Sequence, residues 1–150
     1  MSWSRLYDET LSRMQIAVGR ETLNLPQALN RLSDPSEPAR KAAANGLAKS
    51  LKDAAPVMSL AYNTLVFEKQ VEDGWRHYAY PAQGRHLANE VDKAAVDAME
   101  AAVVEAYPAI SHRYYALKAK AMGKRTLNQW DRNAPLSSAA TRRYGWDEAK

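Results

Sequence analysis

The chain has 150 residues, 46% of them hydrophobic and 25% charged, with 21 basic and 17 acidic side chains for a formal charge of +4. That composition belongs to ordinary folded domains, and nothing in it suggests a disordered chain. There is no cysteine, which excludes disulfides and thiolate metal sites and leaves the reducing cytoplasm as the expected compartment. The N-terminal segment carries Arg5, Asp8 and Glu9 where a signal peptide would need an apolar run, and no later stretch reaches the length of a membrane span, so neither export nor a membrane partner is expected.

Met14, Ile16 and Val18 alternate with Arg13, Gln15 and Ala17, and Gly19-Arg20 separates them from a second short run with Leu23 and Leu25. This predicts a two-strand hairpin with a type II′ turn, Gly19 taking the first turn position. Pro26 then suits the first turn of a short helix ending near Leu32, with Leu29 and Leu32 on one face, so hairpin and short helix occupy residues 13–32. Asp34-Pro35-Ser36-Glu37 reads as a capped helix start, Asp34 being the cap. The long helix that follows, over about 35–73, places Ala43, Leu47, Leu51, Ala54, Met58, Ala61 and Leu65 on one stripe and should kink at Pro56 without dividing the domain.

Gly74 and Tyr80-Pro81 mark a break, and helices are expected over about 82–122. A short one runs from Ala82 to Glu90, and a second, capped by Asp92, runs to Ala106. Pro108 kinks or divides it from a third over Ile110 to Met122, which Gly123 ends in a left-handed conformation. Residues 123–150 form a turn-rich tail, although Asp147 and Glu148 near its end read as the first turn of a further helix, so the chain is expected to be a fragment. The fold class is therefore mainly α, with long amphipathic helices, one small β-hairpin and no repeat, in a single partial helical region.

Candidate chemistry is sparse. His77, His86 and His112 are too far apart to share a helical turn, and none is followed by glutamate. His86 and Glu90 lie four apart and could hold one edge of a metal site, but two ligands do not make one, and a helix-surface hydrogen bond or local packing is preferred. His112, Arg113, Lys118, Lys120, Lys124 and Arg125, interleaved with Tyr114 and Tyr115, form a basic aromatic run of the kind that can bind nucleic acid. Helical spacing weighs against that partner, since Ile110, Tyr114, Leu117 and Ala121 fall on one face and the lysines mostly elsewhere, as in a half-buried helix with a solvated side. Trp130 could bury its indole, and Asp131 or Asn133 could satisfy backbone amides in a turn. No phosphate loop, nucleophilic cysteine or Ser/His/Asp set can be assembled.

Four segments carry a resemblance to a known family: Ala61-Tyr62-Asn63-Thr64-Leu65-Val66, Arg85-His86-Leu87-Ala88-Asn89-Glu90, Ser111-His112-Arg113-Tyr114-Tyr115-Ala116-Leu117-Lys118, and Leu127-Asn128-Gln129-Trp130-Asp131-Arg132-Asn133-Ala134-Pro135-Leu136. With them the chain resembles the N-terminal and middle region of the oligoendopeptidase F family of zinc metallopeptidases. The resemblance implies a largely helical parent with a deep groove for short peptides, in which a zinc-activated water hydrolyses an internal peptide bond. A His-Glu-x-x-His helix would hold that zinc, and the sequence contains none, so no catalytic, cofactor-binding or metal-ligating residue carries over. The implied role is the helical wall and support of the groove in a cytoplasmic oligopeptidase. Zinc and oligopeptide substrates then belong to the parent, and this chain should be inactive alone. The competing expectation is a stand-alone basic helical module that binds nucleic acid, or a protein-interaction module that self-associates through exposed apolar helix faces.

Overall fold

The computed structural model describes residues 2–136 and 145–148 and is mainly helical with one two-stranded antiparallel hairpin, the class that the periodicity predicts. It opens with a helix that the N-terminal reading did not anticipate, α1 (Ser2–Ser12). Trp3, Tyr7, Leu11 and Met14 recur at three and four residue steps, and Leu11 and Met14 reach the core through that stripe.

The hairpin pairs β1 (Ile16–Val18) with β2 (Glu21–Leu23), Ile16 opposite Leu23 and Val18 opposite Glu21. Of the two loop residues only Gly19 has a positive φ, +63°, as a type II′ turn requires. α2 (Leu25–Asn30) starts on a capping box: the Gln27 amide donates to Asn24 Oδ1 at 2.9 Å, and the Asn24 amide donates to Gln27 Oε1 at 3.1 Å. Leu29 stays exposed, contrary to expectation, and Ala28 takes the buried position with Leu25 and Leu32 beside it. Leu25, Ala28 and Leu32 recur at three and four residue steps and take the inward face, which leaves Leu29 beside it, and the chain tightens to a 3-10 turn at Arg31–Ser33.

α3 (Glu37–Trp75) runs for 39 residues and passes through Pro56 as one helix. At 1.5 Å per residue it is about 58 Å long, against roughly 40 Å across a compact domain of this size. It begins two residues later than expected. Asp34 precedes Pro35 and is held extended, with a ψ of 139°, so its carboxylate caps the Ser36 amide at 2.8 Å outside the helix, and Ser36 occupies the N-cap position. Arg40, Ala43, Leu47 and Ala61 are buried along the inward stripe, whereas Leu51 is exposed. The core gathers Met14, Ile16, Ala28 and Leu47, and Gly46 lets the hairpin lie directly on α3, since a Cβ there would sit 2.3 Å from the Ala17 carbonyl oxygen.

α4 (Gln83–Ala88) is shorter than expected, and α5 (Lys93–Ala106) starts after Asp92, which holds the N-cap position without a side-chain cap bond. Pro108 has no N–H to continue the ladder, and the chain widens into a π turn at Pro108–His112, where the His112 amide reaches the Tyr107 carbonyl at 3.0 Å. α6 (Arg113–Ala121) follows, then a 3-10 turn at Gln129–Asp131. Another 3-10 turn spans Trp146–Glu148, and residues 137–144 and 149–150 of the tail lie outside the described residues.

Three helices end in the same way. Gly74 does not stop α3, which instead closes at His77 with φ 54°, while α4 closes at Glu90 with φ 50° and α6 at Gly123 with φ 67°. In each, the next residue's amide reaches back to the third carbonyl from the helix end: Tyr78 to Asp73, Val91 to His86, Lys124 to Ala119. Among the described residues no helix is long and apolar enough to cross a membrane.

Candidate functional site

The segment 127–136 does not lead into a pocket of free acids and bases. It returns to the start of α3 and locks there through a charged cluster. Arg40 and Asp131, 2% and 0% exposed, pair at 2.8 Å, with Asp131 Oδ1 accepting from Arg40 Nη2. Arg40 Nη1 donates to the Asp34 and Pro35 carbonyls, each at 2.9 Å, and its Nε donates to the Trp130 carbonyl at 3.0 Å. Lys124 Nζ donates to Asp131 Oδ2 at 2.7 Å and to Glu37 Oε1 at 2.6 Å, and the Trp130 indole donates to the same Glu37 oxygen at 3.2 Å. The Asn128 amide donates to Asp131 Oδ2 at 3.0 Å, and Lys41 stands 5.2 Å from the Trp130 ring centroid.

Burial pushes the Asp131 carboxyl up, but the hydrogen bonds from Lys124, Arg40 and the Asn128 amide outweigh it and hold the group well below the usual carboxylate range. Glu37 is lowered by its bonds from Lys124 and Trp130, and Lys124 is raised by Asp131 and then Glu37. Among the described residues no buried side-chain polar atom lacks a partner. Arg40 and Asp131, at the buried centre, are committed to one another, to Lys124 and to backbone groups, and Glu37 sits at the solvent edge of the cluster with its side chain 44% exposed. The chemistry of the cluster is that of a clasp.

Asp131 does satisfy a turn amide, as anticipated, and its two cationic partners come from distant parts of the chain. The reading of α6 is overturned. Ile110, Tyr114, Leu117 and Ala121 are all exposed, Ile110 at 67% and Leu117 at 59%, and the inward residues are Ala119 and Lys118, which is only 5% exposed. Lys118 Nζ donates at 2.7 Å to the Arg132 carbonyl, so the returning chain selects the face that can supply a donor. Two lysines of the basic run, Lys118 and Lys124, thus serve internal acceptors.

The histidines remain apart in role. His77 caps α3, and His112 tilts against Tyr107. His86 Nδ1 bonds Tyr80 Oη at 3.1 Å, while Glu90 stands past the end of α4 in the left-handed region, so the two do not form a pair on one helix face. Among the described residues no three His, Asp or Glu side chains could together hold a metal ion, so the donors present do not fit a zinc site. Arg40 has no place in the sequence reading, and Glu37, Lys118 and Lys124 stand there in other roles, Glu37 in a helix start and the two lysines in a solvated basic run. One signal was available: Arg40 continues the Ala43, Leu47 stripe toward the helix N-terminus, and a charge at a core position demands a buried partner. Family models, curated proteins and solved structures offer no match to this chain.

Proposed function

We propose that the chain forms the helical wall and support of the peptide groove in a zinc metalloendopeptidase of the oligoendopeptidase F type, a cytoplasmic oligopeptidase, and that it does not hydrolyse peptides by itself. The resemblance over four segments motivates the reading, and one physical observation supports it: the uncovered apolar arm. Leu60, Phe67, Trp75, Met99, Val103 and Ile110, on the second half of α3, on α5 and in the π turn, stand open to solvent, Trp75 at 80% and Phe67 at 64%. The chain exposes 12093 Å², against about 7,600 Å² for a compact monomer of this mass. So open a surface, with large apolar side chains on it, leaves area for a further part of the protein to cover. In this reading the zinc-bearing part of the enzyme covers the arm, and this chain's residues position that part without handling the water, the proton or the scissile bond.

Two measurements test it. The transcript encoding the chain, read past Lys150, should encode His-Glu-x-x-His in frame, and a frame without it overturns the assignment. The purified chain, supplied with zinc and a quenched fluorogenic peptide, should show no turnover, and chelator-sensitive turnover would contradict the supporting role. The same arm also favours a second reading, an interaction module that self-associates through it. Light scattering over a concentration series separates the two, because a discrete dimer with no in-frame zinc motif supports only the second.

A further inference from the structure

Beside the clasp, between α6 and residues 125–132, lies an open recess of about 460 Å³, within the usual size of small-ligand sites. Tyr115, Ala116, Ala119 and Leu127 supply apolar wall, and Arg125 and Arg132 line the same space. Among the described residues neither guanidinium has a side-chain hydrogen bond or an ion pair, whereas the nearby cations Arg40, Lys118 and Lys124 are all engaged. Two arginines uncommitted among the described residues, lining a hollow whose surface is chiefly apolar, match a planar anion attached to a hydrocarbon body.

The walls are also held in place before any ligand arrives. Ala119 accepts the Lys124 amide at 2.9 Å in the α6 end motif, and the Asn128 amide is held by Asp131 at 3.0 Å, so the loop carrying Leu127 is anchored by the helix end on one side and by the charged cluster on the other. We propose that this recess binds a small organic carboxylate with an apolar or aryl body, the body against Tyr115 and Leu127 and the carboxylate on Arg125 and Arg132. The proposal is independent of the peptidase reading and goes beyond it.

Nuclear magnetic resonance titration of the labelled chain with 4-phenylbutyrate tests the site. Saturable shifts are expected at Ala116, Ala119 and Leu127, with the neutral amide of the same acid binding about tenfold or more weakly, because it lacks the charge the guanidiniums recognise. Arg125→Gln and Arg132→Gln should each weaken phenylbutyrate by a similar factor with the melting temperature unchanged, since both side chains are exposed. Equal binding of acid and amide, unaltered binding by both variants, or the absence of saturable shifts at millimolar probe would overturn it. Inorganic phosphate serves as a control for a bare cationic patch, and affinity equal to that of phenylbutyrate would also sink the proposal.

Discussion

The first half of α3 and its second half belong to one unbroken helix and live in different surroundings. Around residues 40–47 the helix meets the hairpin, α2 and the charged cluster, and Arg40, Ala43 and Leu47 are buried. From Val57 to Trp75 most large apolar side chains of the same helix face solvent, as do those of α5 and α6. Local pattern is amphipathic in both stretches, so the difference lies in what the rest of the chain brings against them. Helical periodicity names a face that wants a partner, and tertiary structure alone says whether this chain supplies it.

The largest expected effect is in the first half. Arg40→Ala or Asp131→Ala leaves a buried charge without its counterpart and should cost about 3–5 kcal/mol in denaturant unfolding; a loss below roughly 1 kcal/mol would show that the cluster does not hold the base together. Gly46→Ala drives a methyl into the Ala17 carbonyl and should destabilise by roughly 1–3 kcal/mol, with the hairpin amides losing hydrogen-exchange protection first.

Acid should find the same half. Asp131 and Glu37 have folded-state values below their unfolded ones, so their stabilisation is complete above the ordinary carboxylate range and is lost as pH falls through the lowered values. Lys124 is raised, so its share is complete below the ordinary lysine range and fades as pH rises through the raised value. Stability should therefore plateau between about pH 5 and 9 and drop on the acid side, and Asp131→Asn should flatten that drop.

Smaller effects belong to the helix ends. Glu90→Gly relieves a left-handed glutamate and should stabilise by roughly 0.5–1 kcal/mol, with His77→Gly gaining less because histidine tolerates that region better. Least of all, Phe67→Asp or Val103→Asp in the arm should alter unfolding by no more than about 0.5 kcal/mol while abolishing any concentration-dependent association. A large stability loss from these two would mean that the arm is already covered within the chain.

Much of the fold was legible because its signals are local. Gly19 marks the hairpin turn and Gly123 the end of α6, each through a backbone preference needing no distant partner, and Asp92 marks the start of α5 by its position although its side chain makes no cap bond. The misses share a different cause. The stripe of α1 is diluted by Arg5, Asp8 and Glu9, and Gly74 reads as a helix stop although the left-handed position falls at His77. The inward face of α6 turns on Lys118 reaching a carbonyl fourteen residues away, and no periodicity encodes that. The clasp was half visible: Asp131 as a turn former was readable, whereas its pairing with Arg40 depends on two remote elements meeting.

That separation has a consequence for how the molecule assembles. The Arg40 to Asp131 bond spans 91 residues, and closing a loop of that length costs about 4 kcal/mol of chain entropy before any contact forms. The hairpin and its bed on α3 close far shorter loops and should appear early, whereas the bolt across the base slides home last. Mutations at Arg40 and Asp131 should then quicken unfolding and leave the refolding rate nearly untouched.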